Sequence, residues 1–244
     1  MLPSYYDILL RHLPTPELRV EALVHGISWT AAVLSGGQTG VAMHTVGESR
    51  PRMFDTLIGL RAAEAARAVL SWNFEEAGEA MAAINACYNT EARIDALGAR
   101  YTGSALEGIA LEGRTLGFVG HLVKHSGITE ELLAPAKAWY ILEKEPKPGD
   151  YPDSACEYLL PRCNLVTITG SAAVNKTMPR LLELSRKAQV VLTGPTVPLC
   201  PELLELGIDR LNGCAIVDPA PMLEKIQSER TSVNAFARHF TLDR

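Results

Sequence analysis

Between residues 115 and 217 the chain repeats one pattern: a short, almost wholly apolar run, then a connection long enough to hold a helix. The runs occupy 115–119, 138–142, 165–169, 190–193 and 215–217. A strand that is apolar at nearly every position is buried on both faces, which requires helices on both sides of a parallel sheet. Helical candidates fall between and after the runs, at 129–133, 154–160, 179–187, 201–206 and 221–229. This part of the chain is therefore predicted to be α/β, an open, doubly wound, mainly parallel sheet.

The first hundred residues follow a different rule. Apolar runs at 20–25, 29–34 and 41–46 are closely spaced, and Ser35-Gly36-Gly37-Gln38-Thr39-Gly40 separates the last two. Such runs joined by glycine-rich turns predict an antiparallel meander. The period then changes. Residues 57–72 read as an alanine-rich helix through Leu60, Ala63, Ala66 and Val69, and 74–88 as a second. Asn73 is placed to cap the second helix, with Glu75 and Glu76 in its first turn, where they suit the helix dipole. A short helix over 4–12 precedes the breaker Pro14-Thr15-Pro16. Meander followed by helices makes an α+β unit. The 244 residues exceed the usual ~100–150 of one domain, and every lysine lies at 124 or beyond. Two domains are expected, 1–108 and 109–244, with the boundary near 105–113.

Charge and composition remove several function classes. The net charge is −5 and no Lys/Arg run occurs, so the chain lacks the basic footprint of a general nucleic-acid binder. No stretch approaches the ~18 consecutive apolar residues of a membrane-spanning helix. Asp7 and Arg11 interrupt the N-terminal apolar segment, unlike a signal peptide. The five cysteines are widely spaced and include no C-x-x-C pair, which argues against a zinc ribbon or a disulfide framework. A cytoplasmic protein is expected.

In open α/β sheets ligands bind outside the carboxyl ends of the strands. The first run exits into Gly120 and His121, and the second ends on Glu143. The third closes on Thr169 and runs into Gly170 and Ser171, with Asn175, Lys176 and Thr177 completing that loop. Gly194, Pro195 and Thr196 follow the fourth, and Asp218 and Pro219 the fifth. Such residues also simply end strands. The 170–177 loop is richer than a connection requires, and its glycine and amides suit an anion; Thr177 also stands where it would cap the next helix.

Neither the phosphate-loop pattern G-x-x-x-x-G-K-[ST] nor G-x-G-x-x-G is present, and hydrolase motifs are absent. Glu143 follows Gly120 at about the spacing of a ribose-binding acid, although Lys144 and Glu145 beside it equally fit a solvated edge. His121 and His125 are four apart, and His121 with Glu143 forms a minimal candidate metal pair. Asn85 and Asn89 share one face of the second predicted helix, either to bond a neighbouring loop or to line a cleft.

The segments TLGFVGH (115–121), YILEKEPKPGDYP (140–152), LPRCNLVTITGSAAVNKT (160–177) and VVLTGPTVPLCPELLELGIDRLNG (190–213), with AAINACYN (82–89), resemble a bacterial and archaeal family of unknown function associated with heavy-metal chelation. Asn164 departs from its pattern, where an acidic residue is expected. The resemblance implies an enolase N-terminal-like domain followed by a Rossmann-like domain, with a site between them. It puts Gly120, Glu143, Gly170, Ser171, Asn175, Thr177, Gly194, Pro195 and Thr196 around that cleft, and brings Asn85 and Asn89 from the other domain. The implied ligand is a metal ion, a metal chelate or a small anionic molecule, with a divalent transition metal as cofactor. A nucleotide-type cofactor is the alternative. Nucleic acid and membrane are not expected as partners, and the oligomeric state is open, homodimer included.

Overall fold

Ser4 opens the first helix by a reciprocal cap, its hydroxyl accepting from the Asp7 amide while the Asp7 carboxylate accepts from the Ser4 amide. The computed structural model describes residues 4–47, 50–125 and 127–244. Helix α1 (Tyr5–Arg11) leads into the antiparallel meander of β1 (Val20–His25), β2 (Trp29–Leu34) and β3 (Thr39–Met43). The meander matches the sequence expectation, although β3 lies earlier than 41–46.

The helix expected over 57–72 is mostly something else. Only α2 (Ala62–Ala65) is α-helical, continuing as a 3-10 segment through Leu70. The backbone before it is committed elsewhere: Gly59 N donates to Val20 O at 2.8 Å and Val20 N to Leu60 O at 3.0 Å. Tertiary pairing with the meander overrides the local helical preference of the alanines. Helix α3 (Phe74–Tyr88) forms as expected, and the Asn73 side chain accepts from Glu76 N at 3.1 Å. It is buried almost all round, and its small residues let strands lie directly on it. A Cβ on Gly40 of β3 would stand 2.1 Å from Ala86 N, so only glycine fits there.

The rest of the chain runs α4 (Glu91–Ala96), β4 (Arg100–Tyr101), β5 (Thr115–Val119), α5 (Glu130–Leu133), β6 (Ala138–Glu143), β7 (Tyr151–Pro152), α6 (Cys156–Leu159) and β8 (Leu165–Thr169). It continues with α7 (Ser171–Val174), α8 (Met178–Leu184), β9 (Gln189–Thr193), β10 (Arg210–Ile216), α9 (Pro219–Ser228) and β11 (Ala237–Asp243). One eight-stranded sheet results, in the order β4-β11-β10-β9-β8-β5-β6-β7. Strands β5 to β10 are parallel, whereas at one side β11 pairs antiparallel with both β10 and β4. The chain builds outward from β5 to β7 and then returns to place β8 on the other flank of β5. That reversal creates a crevice at the carboxyl ends of β5 and β8. The protein is thus a mixed α/β fold with a large, mainly parallel sheet and a small antiparallel one. Among the described residues no helix is long and apolar enough to cross a membrane.

Two departures share a cause. The fifth parallel strand was expected at 215–217 but starts at Arg210, and β11 was not anticipated. Polar residues break the apolar runs there, yet several are buried and paired. Asn212 accepts from Thr193 Oγ1 at 2.8 Å, and Arg210 donates to Ala105 O, Glu107 O and Asp243. Asn164, the family departure, accepts from Thr115 N at 2.9 Å and pins the start of β5.

The sheets share one apolar core, which extends from Tyr5 to Phe240. Polar ties cross the same contact: Tyr6 OH donates to Ala173 O at 2.8 Å, and Lys176 Nζ to Val69 O at 2.6 Å.

Candidate functional site

A cavity of about 910 Å³ opens at the carboxyl ends of the parallel strands, where they meet the ends of β2 and β3. Of the residues expected from the sequence, Gly120, His121, Glu143, Thr169, Ser171, Asn175, Thr177, Gly194, Pro195 and Thr196 line it. Gly120 (φ +100°) and Gly194 (φ +110°) turn the chain sharply away at the ends of β5 and β9. An L side chain rarely adopts that conformation, so glycine sets the opening of the cavity floor.

The hydroxyls and amide are ordered among themselves. Thr169 Oγ1 and Ser171 Oγ lie 3.1 Å apart. Asn175 Oδ1 accepts from Thr177 N at 3.2 Å and Thr177 Oγ1 at 2.6 Å. Thr177 therefore does not cap α8: its hydroxyl is turned back to Asn175, and the helix begins without a side-chain cap. Thr196 Oγ1 accepts from Met43 N at 2.9 Å, tying the β9 exit to the small sheet. The anion-cradle reading of the 170–177 segment loses its helix, because α7 has only four residues and α8 seven. The aligned dipole that favours an anion is correspondingly short.

Three expected residues lie outside the cavity lining. Gly170 serves packing, since a Cβ there would stand 2.8 Å from the Thr196 and Val197 backbone. Asn85 Nδ2 donates to Val41 O at 2.8 Å. Asn89 donates to Val197 O at 2.9 Å and accepts from Leu199 N at 2.8 Å. Both asparagines thus bond neighbouring backbone, and Asn89 fastens the segment behind the β9 exit to α3.

Sequence reasoning missed part of the wall. Ser28, Trp29 and Met43 enter from the small sheet, Arg180 from α8, and Arg230 to Ser232 with Asn234 from the segment after α9. Trp29 Nε1 donates to Thr231 O at 3.0 Å, joining two of these contributors. Nothing local in the sequence signals them; they converge only through chain pairing. Val119, Leu142, Leu181 and Leu184 give the cavity apolar walls, while Glu143, Lys144, Lys147 and Arg230 place both signs of charge around it. A smaller recess of about 370 Å³ lies at the opposite ends of β9 and β10, lined by Arg114 and Arg210, whose guanidinium groups already bond to protein oxygens.

Residues 106–240 match a family described as "Putative heavy-metal chelation" (DUF364), and residues 6–88 match a second family with the same description (DUF4213). The chain belongs to the DUF364 family. A crystal structure of a DUF364 protein of unknown function from Desulfitobacterium hafniense DCB-2 is similar, with a TM-score of 0.82 and 32% identity over 98% of this chain and 97% of that one. A second, from Pyrococcus horikoshii, has a TM-score of 0.81 and 21% identity, covering 99% and 100%; it speaks for the fold alone. No curated protein matches the chain.

For a DUF364 protein the donor set for metals is the pertinent chemistry, and cysteine does not supply it. All five cysteines are free and buried. Burial pushes the thiols up, to about 11 for Cys87 and Cys163 and about 12 for Cys156, Cys200 and Cys214. None of them joins a group of three metal-ligating side chains among the described residues. The pair His121 and Glu143 gains no third ligand among the described residues. His121 Nδ1 instead lies 3.3 Å from Asp150 Oδ2, without hydrogen-bond alignment, and Glu143 Oε1 accepts from Lys144 N at 2.7 Å. Residues 120–125 form turns, so His121 and His125 do not share a helix face. One His/Glu/Glu group does assemble, elsewhere: His25, Glu75 and Glu79.

Proposed function

We propose that this DUF364 protein binds a small, anionic organic ligand as its metal chelate, in the cavity at the carboxyl ends of the parallel strands. The observation that carries the reading is the character of that cavity. Its roughly 910 Å³ suits an organic molecule, and its walls are apolar with charges of both signs around them. A bare ion needs three or four convergent ligands. Here the candidate pair lacks the third, whereas a chelate brings its own ligands and presents both charge and apolar surface.

The reading includes a two-domain organisation, 1–108 and 109–244, with an enolase N-terminal-like first unit and a Rossmann-like second. The parallel strands support the second part: numbered from β5 along the chain, their order across the sheet is 3-2-1-4-5-6. Free cysteines support a cytoplasmic setting. Calorimetry on tag-free protein with ferric, nickel or cobalt citrate, against citrate alone, tests the binding. One equivalent of chelate is expected, with a Tm raised by roughly 5–10 °C at a hundredfold excess over Kd. Failure of every chelate to bind, across citrate and amino-acid complexes, would sink the proposal.

A nucleotide-type cofactor is the second reading, favoured by Glu143 at the end of β6, within the cavity. Against it, β5 runs into turns rather than a helix, so no helix N-terminus stands at Gly120 to take a pyrophosphate. A thermal-shift panel of adenine and nicotinamide nucleotides separates the two.

A further inference from the structure

His25, at the end of β1, faces Glu75 and Glu79, which stand one turn apart at the start of α3. We propose that these three side chains bind one divalent first-row transition-metal ion, with Arg52 as the positioning residue for Glu79. The site is separate from the cavity and does not depend on what the cavity binds.

The geometry fits a shared ion. His25 Nε2 lies 3.4 Å from Glu79 Oε1. An N–H···O bond closes to ~2.7–3.2 Å, so this separation is too long for one. It does match two ligands each ~2.0–2.2 Å from a shared tetrahedral ion. Glu75 closes the third side, with a carboxylate oxygen within 4.8 Å of the other two ligand atoms.

Glu79 is held in place from behind. Its side chain is 3% exposed, and Arg52 grips both its oxygens, Nη1 donating to Oε1 at 3.1 Å. A carboxylate oxygen has two lone pairs, so Oε1 keeps one for an ion. An outer partner that orients a ligating carboxylate is a regular part of metal sites.

Charge points the same way. Glu75 and Glu79 are like charges at i,i+4, a destabilising arrangement. Arg52 compensates one of them. The neighbouring Glu76 is occupied by the amides of Met53 and Phe54 at 2.8–3.0 Å. A divalent cation compensates what remains. His25 and Glu75 are partly exposed, at 38% and 30%, which leaves an entry path and room for water ligands. One imidazole with two carboxylates suits zinc, cobalt, manganese or ferrous ions rather than soft thiolate-seeking metals.

The rival occupant is a proton. An imidazolium would face Glu79 through Nε2 and Glu75 through Nδ1, the latter at 4.0 Å. Calorimetry and visible absorption of the EDTA-treated, tag-free full chain with Co²⁺ and Zn²⁺ decide between them. One equivalent of ion is expected, with cobalt ligand-field bands. His25→Ala should weaken binding by at least ~100-fold and Glu75→Gln at least ~10-fold, since even outer partners cost that much. Both positions reach solvent, so the fold should persist. Ser171→Ala, which alters the cavity, should leave the cobalt isotherm unchanged. Wild-type protein that binds neither ion overturns the proposal. So does cobalt binding that survives His25→Ala, or that is lost equally in Ser171→Ala.

Discussion

Helix α3 and the exits of the parallel strands both hold polar residues inside the molecule, yet the two regions use them differently. At the C-terminal cap of α3, Asn89 has both ends of its amide engaged by backbone of the segment 197–199. At the strand exits, Thr169, Ser171, Asn175 and Thr177 bond mainly to one another and face a cavity. A buried polar group must find partners somewhere, and which partners it finds separates structure from site. Asn89 completes the packing of that segment against the end of α3. The exit residues keep hydrogen-bonding capacity directed at space a ligand can fill.

Perturbation can break or sharpen that contrast, and the largest effect is expected beside α3. Gly40→Ala drives a methyl into the backbone at Ala86, 2.1 Å away, and should cost about 3 kcal/mol or more in denaturant unfolding. Retention of wild-type stability would mean that α3 can move away from β3. Asn89→Ala comes next: it orphans Val197 O and the buried Leu199 N–H, and a loss of about 2–4 kcal/mol is expected. A stable Asn89→Ala protein with altered ligand binding would instead return Asn89 to the site.

The third test concerns the tie between the two regions. Burial pushes the Lys176 ammonium down to about 8 from its ordinary 10.5. Between those values the unfolded chain holds more protons than the folded one, so stability should rise with pH across that window. Below it the full cost of the buried charge is present. Lys176→Met should flatten that slope, as read from urea midpoints at pH 8, 9 and 10. An unchanged slope would show that the carbonyls of Val69 and Val174 fully compensate the charge. The smallest stability effect is expected at the exits: Ser171→Ala should change unfolding by less than about 1 kcal/mol while abolishing the chelate-induced rise in Tm. A large destabilisation there would assign Ser171 to structure and erase the contrast.

Much of this was legible along the chain. The runs at 115–119 and 165–169 are strands with the expected bounds, because near-continuous apolar residues have few other uses in a short segment. Helix α3 was legible through its cap and its alanines. The strand-exit residues were legible because glycine and hydroxyl residues after a buried strand must fall at its carboxyl end. Strand β11 was not, since its polar positions look like loop until antiparallel pairing with β10 supplies their partners. The 57–61 segment was misread for the complementary reason: helical composition gave way to pairing with β1.

What the sequence determined by itself was the set of elements, their α/β character and the polar residues delivered to the strand ends, because apolar periodicity and turn chemistry act over a few neighbouring residues. Tertiary structure alone decided the strand order, the entry of Trp29, Met43 and Arg230 into the cavity, the structural use of Asn89, and the meeting of His25 with Glu75 and Glu79. Each of those depends on groups far apart in the chain, whose encounter is set by which surfaces exclude water together and not by any local preference.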